Sequence, residues 1–178
     1  MTISQPPISS QPEPWLRGTL TEITAEQRAV LHALQLARED IQRWCAGLTN
    51  EELHQNPHGL PSVAFQLRHI VGSLDRLITY AEGRSLNAQQ TAALSSEANA
   101  EGSKAEILAG FEQGIATAER RIRAIDAARW PEPRKVGRKE LPATVAGLLI
   151  HCAEHTQRHV GQAVTTAKVI LALRNTPS

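Results

Sequence analysis

Three histidines stand four residues apart in the segment IHCAEHTQRHVGQ, which covers residues 150–162. They are His151, His155 and His159, in a chain that has seven histidines in all. Four residues make about one turn of an α-helix, so these side chains line up along one side of a helix. Neutral imidazole nitrogen is a preferred ligand of divalent transition metals. The spacing therefore points to a metal site.

The predicted last helix, from about Pro142 to Arg174, carries an apolar stripe that includes His155 and His159 but has His151 at its edge. The stripe is formed by Val145, Leu148, Cys152, Ala163, Ile170 and Leu173. A single buried histidine is usually a core residue bonded to a carbonyl group. Two on one stripe must both lose water and resist being protonated together, and a metal ion relieves both problems.

A third ligand has to come from elsewhere, and the residues alone leave several candidates. The HExxH motif is absent because Cys152 follows His151, and only EELH (51–54) has the Glu-x-x-His spacing of di-iron bundles. His69 lies on an uncharged flank of the predicted second helix and is the first candidate. His58 and His151 are the alternatives.

Four amphipathic segments can position these residues, at 24–48, 62–83, 104–126 and 142–174. Thr24, Thr49 and Ser103 each precede a Gln or Glu by three residues, which is the spacing of a capping box. The segment 84–102 is weakly patterned and is predicted as a long connection, and 128–142 is predicted as a loop. These features predict an all-α four-helix bundle with a long connection between helices two and three. We expect residues 1–20 to form a flexible Pro-rich tail and residues 21–178 a single domain.

Composition excludes several classes of function. The net charge is +1, whereas a nucleic-acid-binding protein usually carries a basic excess. No apolar run approaches the ~20 residues that span a bilayer, and the N-terminus lacks the features of a secretory signal. The two cysteines, Cys45 and Cys152, are too few for a disulfide framework. We therefore expect a cytoplasmic protein that binds neither nucleic acid nor membranes, and we interpret Cys152 as a packing residue.

The segments LRHIVGSLDRLITYAEGR (67–84) and LLIHCAEHTQRHVGQ (148–162) resemble the DinB/YfiT-like superfamily of metal-dependent enzymes. The resemblance covers about residues 22–173. It implies a four-helix bundle, commonly dimeric, with a divalent metal, zinc or nickel, on one histidine of the second helix and an H-x-x-x-H pair in the last. In this chain these residues are His69, His155 and His159.

The resemblance also implies a range of activities. Characterised relatives include transferases and isomerases that use a low-molecular-weight thiol, such as bacillithiol or mycothiol, with a small-molecule substrate. A non-catalytic metal-binding stress-response bundle is the alternative, and a side chain or a water at the fourth metal position would distinguish the two. We expect a homodimer. The sequence leaves open the roles of His151, of Gln162 and of the basic segment 134–139. The basic segment either is a solvated charge run or attracts an anionic substrate toward the metal.

Overall fold

The computed structural model describes residues 11–97 and 101–174, and the described chain is mainly helical. The helices are α1 (Ala25–Cys45), α2 (Asn50–His54), α3 (Val63–Ala81), α4 (Ala88–Ser96), α5 (Lys104–Ala124) and α6 (Val145–Arg174). Two short strands, β1 (Pro133–Val136) and β2 (Leu141–Thr144), form an antiparallel hairpin. The predicted all-α class is confirmed.

The four long helices α1, α3, α5 and α6 form the predicted bundle. Helix α6 packs against both α1 and α3, and α5 packs against α3 and α1. Helices α1 and α3 therefore occupy opposite corners, so the bundle departs from the simple order in which successive helices are neighbours. This arrangement places α3 beside α6, and it is the reason that residues 69 and 155 can meet.

Aliphatic side chains fill the space between these helices. Fully buried positions include Leu31, Leu34, Ile41, Leu67, Ile70, Leu74, Phe111, Ile115 and Ile122. Complete burial of one such side chain contributes about 1.5–3 kcal/mol. Burial of these side chains is therefore the main favourable contribution to the stability of the bundle.

Hydroxyl and amide side chains cap the helix starts. Both halves of the capping box are present at Thr49 with Glu52 and at Ser103 with Glu106, as predicted. The Thr24 side chain accepts a hydrogen bond from the backbone N–H of Gln27 at 3.3 Å. Each cap contributes about 1 kcal/mol.

The connection between α3 and α5 contains a helix that the sequence did not predict. Helix α4 begins at a capping box formed by Asn87 and Gln90. The Gln90 side chain also donates to Asp75 Oδ2 at 2.7 Å and to Thr79 Oγ1 at 2.9 Å, both on α3. Side-chain hydrogen bonds thus hold α4 on the bundle, where the weak apolar pattern of its sequence gave no indication of packing.

The predicted loop 128–142 was also partly wrong, because it holds most of the hairpin. Val136 pairs with Leu141 across a turn in which Gly137 has a φ of 69°. Since residues 141–144 are extended, α6 begins at Val145 and not near Pro142. Two of the basic side chains have partners: Arg134 donates to the Ala81 carbonyl oxygen at the end of α3 at 2.8 Å, and Lys135 bonds Glu140 within the hairpin. Arg134 is largely buried, with 10% of its side chain exposed, whereas Lys135, Arg138 and Lys139 are exposed, so only part of segment 134–139 is a solvated charge run.

The predicted N-terminal tail lies partly outside the described residues. Pro14–Leu16 form a short helical turn against α1, and Arg17 makes two hydrogen bonds to Glu39, at 2.6 and 2.7 Å. A boundary near residue 20 stays a prediction. Within the described segments, every helix is too short or too polar to cross a membrane.

Candidate metal centre

Three histidines from two helices converge on one point of the bundle wall. His69 comes from the middle of α3, and His155 and His159 come from α6. Each offers a nitrogen that lies within 4.8 Å of those of the other two. Their ring centroids are 5.1 Å apart for His69 and His155, and 4.4 Å apart for each of the other pairs. The structure therefore brings together the three residues that the sequence and the resemblance proposed as ligands.

The histidines lie at the margin of the core, not inside it. Cys152, Thr156 and Val160 on α6 are buried, whereas His155 and His159 are only partly so. The His69 side chain is 21% exposed and stacks on Phe65, with ring centroids 5.6 Å apart. The other residues of the predicted apolar stripe on α6 are buried from Val145 to Ile170, but Leu173 at its C-terminal end is exposed. The cluster is therefore partly exposed to solvent.

Hydrogen bonds fix two of the three rings. Nδ1 of His69 lies 2.8 Å from Glu97 Oε2, and Nδ1 of His159 lies 2.6 Å from Gln66 Oε1. Both partners are acceptors, so each Nδ1 carries the proton and donates. In a neutral ring the remaining nitrogen, Nε2, then keeps its lone pair and can bind a metal ion, and Nε2 of His69 also lies 3.5 Å from Ser73 Oγ.

The hydrogen bond from His159 to Gln66 lowers the stability of the fold in one respect. It is fully buried on α3, and within the described part of the chain its Nε2 has no hydrogen-bond partner. An unpaired buried amide group costs about 1–3 kcal/mol of stability. In return, the Gln66 side-chain oxygen holds the proton of His159 on Nδ1, which leaves Nε2 as the nitrogen that can bind a metal. Imidazole nitrogens that keep a lone pair are preferred ligands of divalent metals, so the three side chains fit such an ion.

Electrostatics favour the neutral, metal-binding form of the α6 histidines. Burial, together with His159, His69, His151 and Arg158, lowers the pKa of His155 to about 4. The pKa of His159 is also lowered, mainly by burial and by its neighbour His69. Metal binding therefore competes with few protons at neutral pH.

The stability of the metal-free protein is expected to fall as pH decreases from about 6.5 to about 4. In this window His155 stays neutral in the folded state, whereas an unfolded histidine takes up a proton, so the unfolded state binds more protons. The loss is on the order of 1–2 kcal/mol once solvent screening of this partly exposed ring is included. Urea unfolding at pH 7 and pH 4.5, without metal, measures it.

The His155→Gln variant is the control for this pH dependence. Carboxylates with lowered pKa values also lose stability as pH falls, so only the difference between wild type and variant reports on His155. The variant should show a smaller loss between pH 7 and pH 4.5. An identical loss in both proteins would contradict the assignment.

The alternative ligands that the sequence left open are not part of the cluster. The His151 side chain is 43% exposed, and its Nδ1 bonds Glu154 Oε2 at 3.2 Å. Its ring nevertheless lies 5.5 Å from that of His155, so it borders the site. His58 is exposed, in the turn Pro57–Gly59.

The other side chains of α6 near the histidines pack in the core or make contacts at the surface. Cys152 is buried, and burial raises the pKa of its thiol to about 12, as expected for a packing residue. Glu154 and Arg158 form an ion pair one turn apart on the surface of α6. Gln162 is exposed, and its hydrogen bonding to His159 acts to raise the pKa of that ring.

Sequence reasoning missed the two residues that hold the rings. Gln66 could have been found, because it is a polar residue beside Leu67 and Ile70 and lies three positions before His69, on the same side of the helix. Glu97 gave no comparable indication, since it stands 28 residues from His69 in a segment without a clear pattern.

Comparison with known proteins agrees with this geometry. The family model of the DinB superfamily matches residues 33–163. The chain belongs to the DinB superfamily. The DinB match includes His69, His155 and His159, together with the helices α3, α5 and most of α6. No curated protein and no solved structure matches the chain significantly.

Proposed function

We propose that this DinB-family protein is a metal-dependent enzyme, with a divalent ion, zinc or nickel, held by His155 and by Nε2 of His69 and His159. The observation that carries the proposal is the convergence of three imidazoles, two of them held by hydrogen bonds at Nδ1. Among the described residues, this group contains three potential ligands and no fourth. Catalytic sites commonly have three protein ligands and one open position, whereas structural zinc sites have four.

The reaction we propose is transfer or isomerisation that uses a low-molecular-weight thiol. A bound divalent ion lowers the pKa of a thiol and holds the thiolate near the substrate. The protein offers no such nucleophile itself, because burial raises the pKa of both Cys45 and Cys152 to about 12. The sulfur must therefore come from a small cosubstrate that reaches the partly exposed cluster.

A surface cleft beside the cluster is the proposed place for the second substrate. The cleft has a volume of about 680 Å³ and lies between α6, α3 and the hairpin. Leu77, Val136, Ala143 and Leu148 give it an apolar lining, and His151 forms its border toward His155. This lining suits the apolar part of a small electrophile, with His151 between it and the metal ligands.

A metal-dependent thiol transfer assay tests the proposal. Zinc- or nickel-loaded protein is mixed with an aryl halide and, in turn, with several low-molecular-weight thiols. We expect one thiol to be consumed faster than in the presence of stripped protein, with His159→Ala as the inactive control. If the loaded protein binds metal but accelerates no thiol reaction, the non-catalytic metal-binding bundle becomes the better interpretation.

The non-catalytic alternative also has an observation in its favour. The three histidines come from α3 and α6, so an ion among them would tie two helices of the bundle together. A homodimer and a cytoplasmic location remain predictions from the sequence and the family resemblance.

A further inference from the structure

Glu97 reaches the candidate metal centre from outside the four long helices. It follows α4 in the connection between α3 and α5, and only 9% of its surface is exposed. We propose that Glu97 is a positioning residue, which fixes the ring of His69 for metal binding. This inference rests on the metal site of the proposed function but not on its thiol chemistry.

Both carboxylate oxygens of Glu97 are engaged. Oε2 accepts from Nδ1 of His69 at 2.8 Å, and Oε1 accepts from Nη1 of Arg76 at 2.5 Å. Arg76 also donates to Ser73 Oγ at 3.3 Å, and that oxygen lies 3.5 Å from Nε2 of His69. The carboxylate is thus held on the Nδ1 side of the ring, away from the nitrogen that is free for metal. Glu97 therefore acts on the metal through His69 and is not itself a ligand.

A carboxylate at this position changes His69 in two useful ways. It holds the proton on Nδ1, and its negative charge makes Nε2 a stronger electron donor to a cation. A purely structural role accounts less well for the contact, because a buried ion pair adds little net stability after its desolvation cost.

The backbone of α3 leaves space for this carboxylate. A Cβ atom at Gly72 would lie 2.3 Å from Glu97 Oε1 and 2.9 Å from Arg76 Nη1. Glycine in the middle of a helix makes the helix less stable than alanine would. At position 72, however, only glycine lets the carboxylate of Glu97 lie this close to the helix backbone. Any side chain at position 72 must displace the carboxylate.

Zinc affinity, measured by competition with a chromophoric chelator, tests the role of Glu97. Glu97→Ala should weaken zinc binding by about 10- to 100-fold, the usual effect of removing such a partner. Glu97→Gln should lose less, because its amide oxygen still accepts from Nδ1 of His69. Glu82→Gln is the matched control, since Glu82 also lies at α3 in a partly buried ion pair, with Arg121, but does not touch the histidines. It should bind zinc as the wild type does.

The Gly72→Ala variant tests the same contact without altering Glu97. It should weaken zinc binding, but less than Glu97→Ala, because the carboxylate is displaced and not removed, and combining the two changes should add little to the loss in Glu97→Ala. Gly110→Ala is its control, because a Cβ at that helical position meets nothing within 4 Å. Additive losses in the double variant would show that Gly72 acts by another route.

The outcomes separate this inference from the proposed function. Wild-type affinity in Glu97→Ala, or an equal loss in Glu82→Gln, would overturn the positioning role while the three-histidine site stands. Failure of the wild-type protein to bind zinc would overturn the site and the inference together. Zinc binding that depends on Glu97, in a protein without thiol transferase activity, would support the inference and contradict only the proposed reaction.

Discussion

Replacing His159 with alanine is expected to abolish zinc binding at micromolar protein concentration, from about one ion per chain in the wild type. Zinc sites with four ligands bind with about 10–16 kcal/mol, so one ligand is worth on the order of 3 kcal/mol, or more than a hundredfold in affinity. Within the described residues, the cluster has no fourth potential ligand that could replace His159. Elemental analysis after gel filtration, together with zinc titration, measures the effect, and His155→Ala should give the same result.

The control for this prediction is another histidine that the sequence offered as a ligand. His58 is exposed and has a φ of 50°, so His58→Asn keeps a residue that tolerates this conformation. This variant should retain full zinc content. Normal zinc content in the double variant His155→Ala/His159→Ala would rule out the proposed ligand set.

Helical periodicity was sufficient to predict the bundle and the H-x-x-x-H pair. The long helices are amphipathic, and their starts carry caps such as Ser103 with Glu106 that are visible in a single sequence. His155 and His159 are one turn apart on the same helix, so their proximity is a local property. His69, in contrast, lies on a different helix, so its proximity to them depends on how α3 packs against α6. Residues alone favoured His69 without excluding His58, and the family resemblance was needed to choose between them.

The parts that could not be predicted are those held by polar contacts between distant residues. The apolar residues of α4 are three alanines and the exposed Leu94, and the helix is held on α3 by hydrogen bonds from Gln90 to Asp75 and Thr79. The hairpin has no fully buried residue, and Leu141 is exposed, so its two strands give only a weak hydrophobic pattern. Glu97 contacts His69 only because α4 brings the chain back over α3. Hydrophobic periodicity carries no information about such contacts.

Removing metal with a chelator is expected to lower the melting temperature of the loaded wild-type protein by about 10 °C. A ligand that binds only the folded state adds about 4 kcal/mol when its free concentration is a thousand times its Kd. For a chain of this length, each kcal/mol shifts the midpoint by about 2–4 °C. The protein should still melt cooperatively without metal, because its aliphatic core remains buried. Melting curves with and without chelator, at matched pH, give the difference directly.

Two single variants decide which histidine completes the site. His69→Ala should remove most of the chelator effect, because the ion would then lose its only ligand from α3. His151→Ala should keep it, since His151 is exposed and bonded to Glu154. The effect in the wild type should persist somewhat below pH 6.5, because the lowered pKa values of His155 and His159 delay competition by protons. If His151→Ala lost the chelator effect and His69→Ala retained it, the ligands would all lie on α6 and no metal would join the two helices.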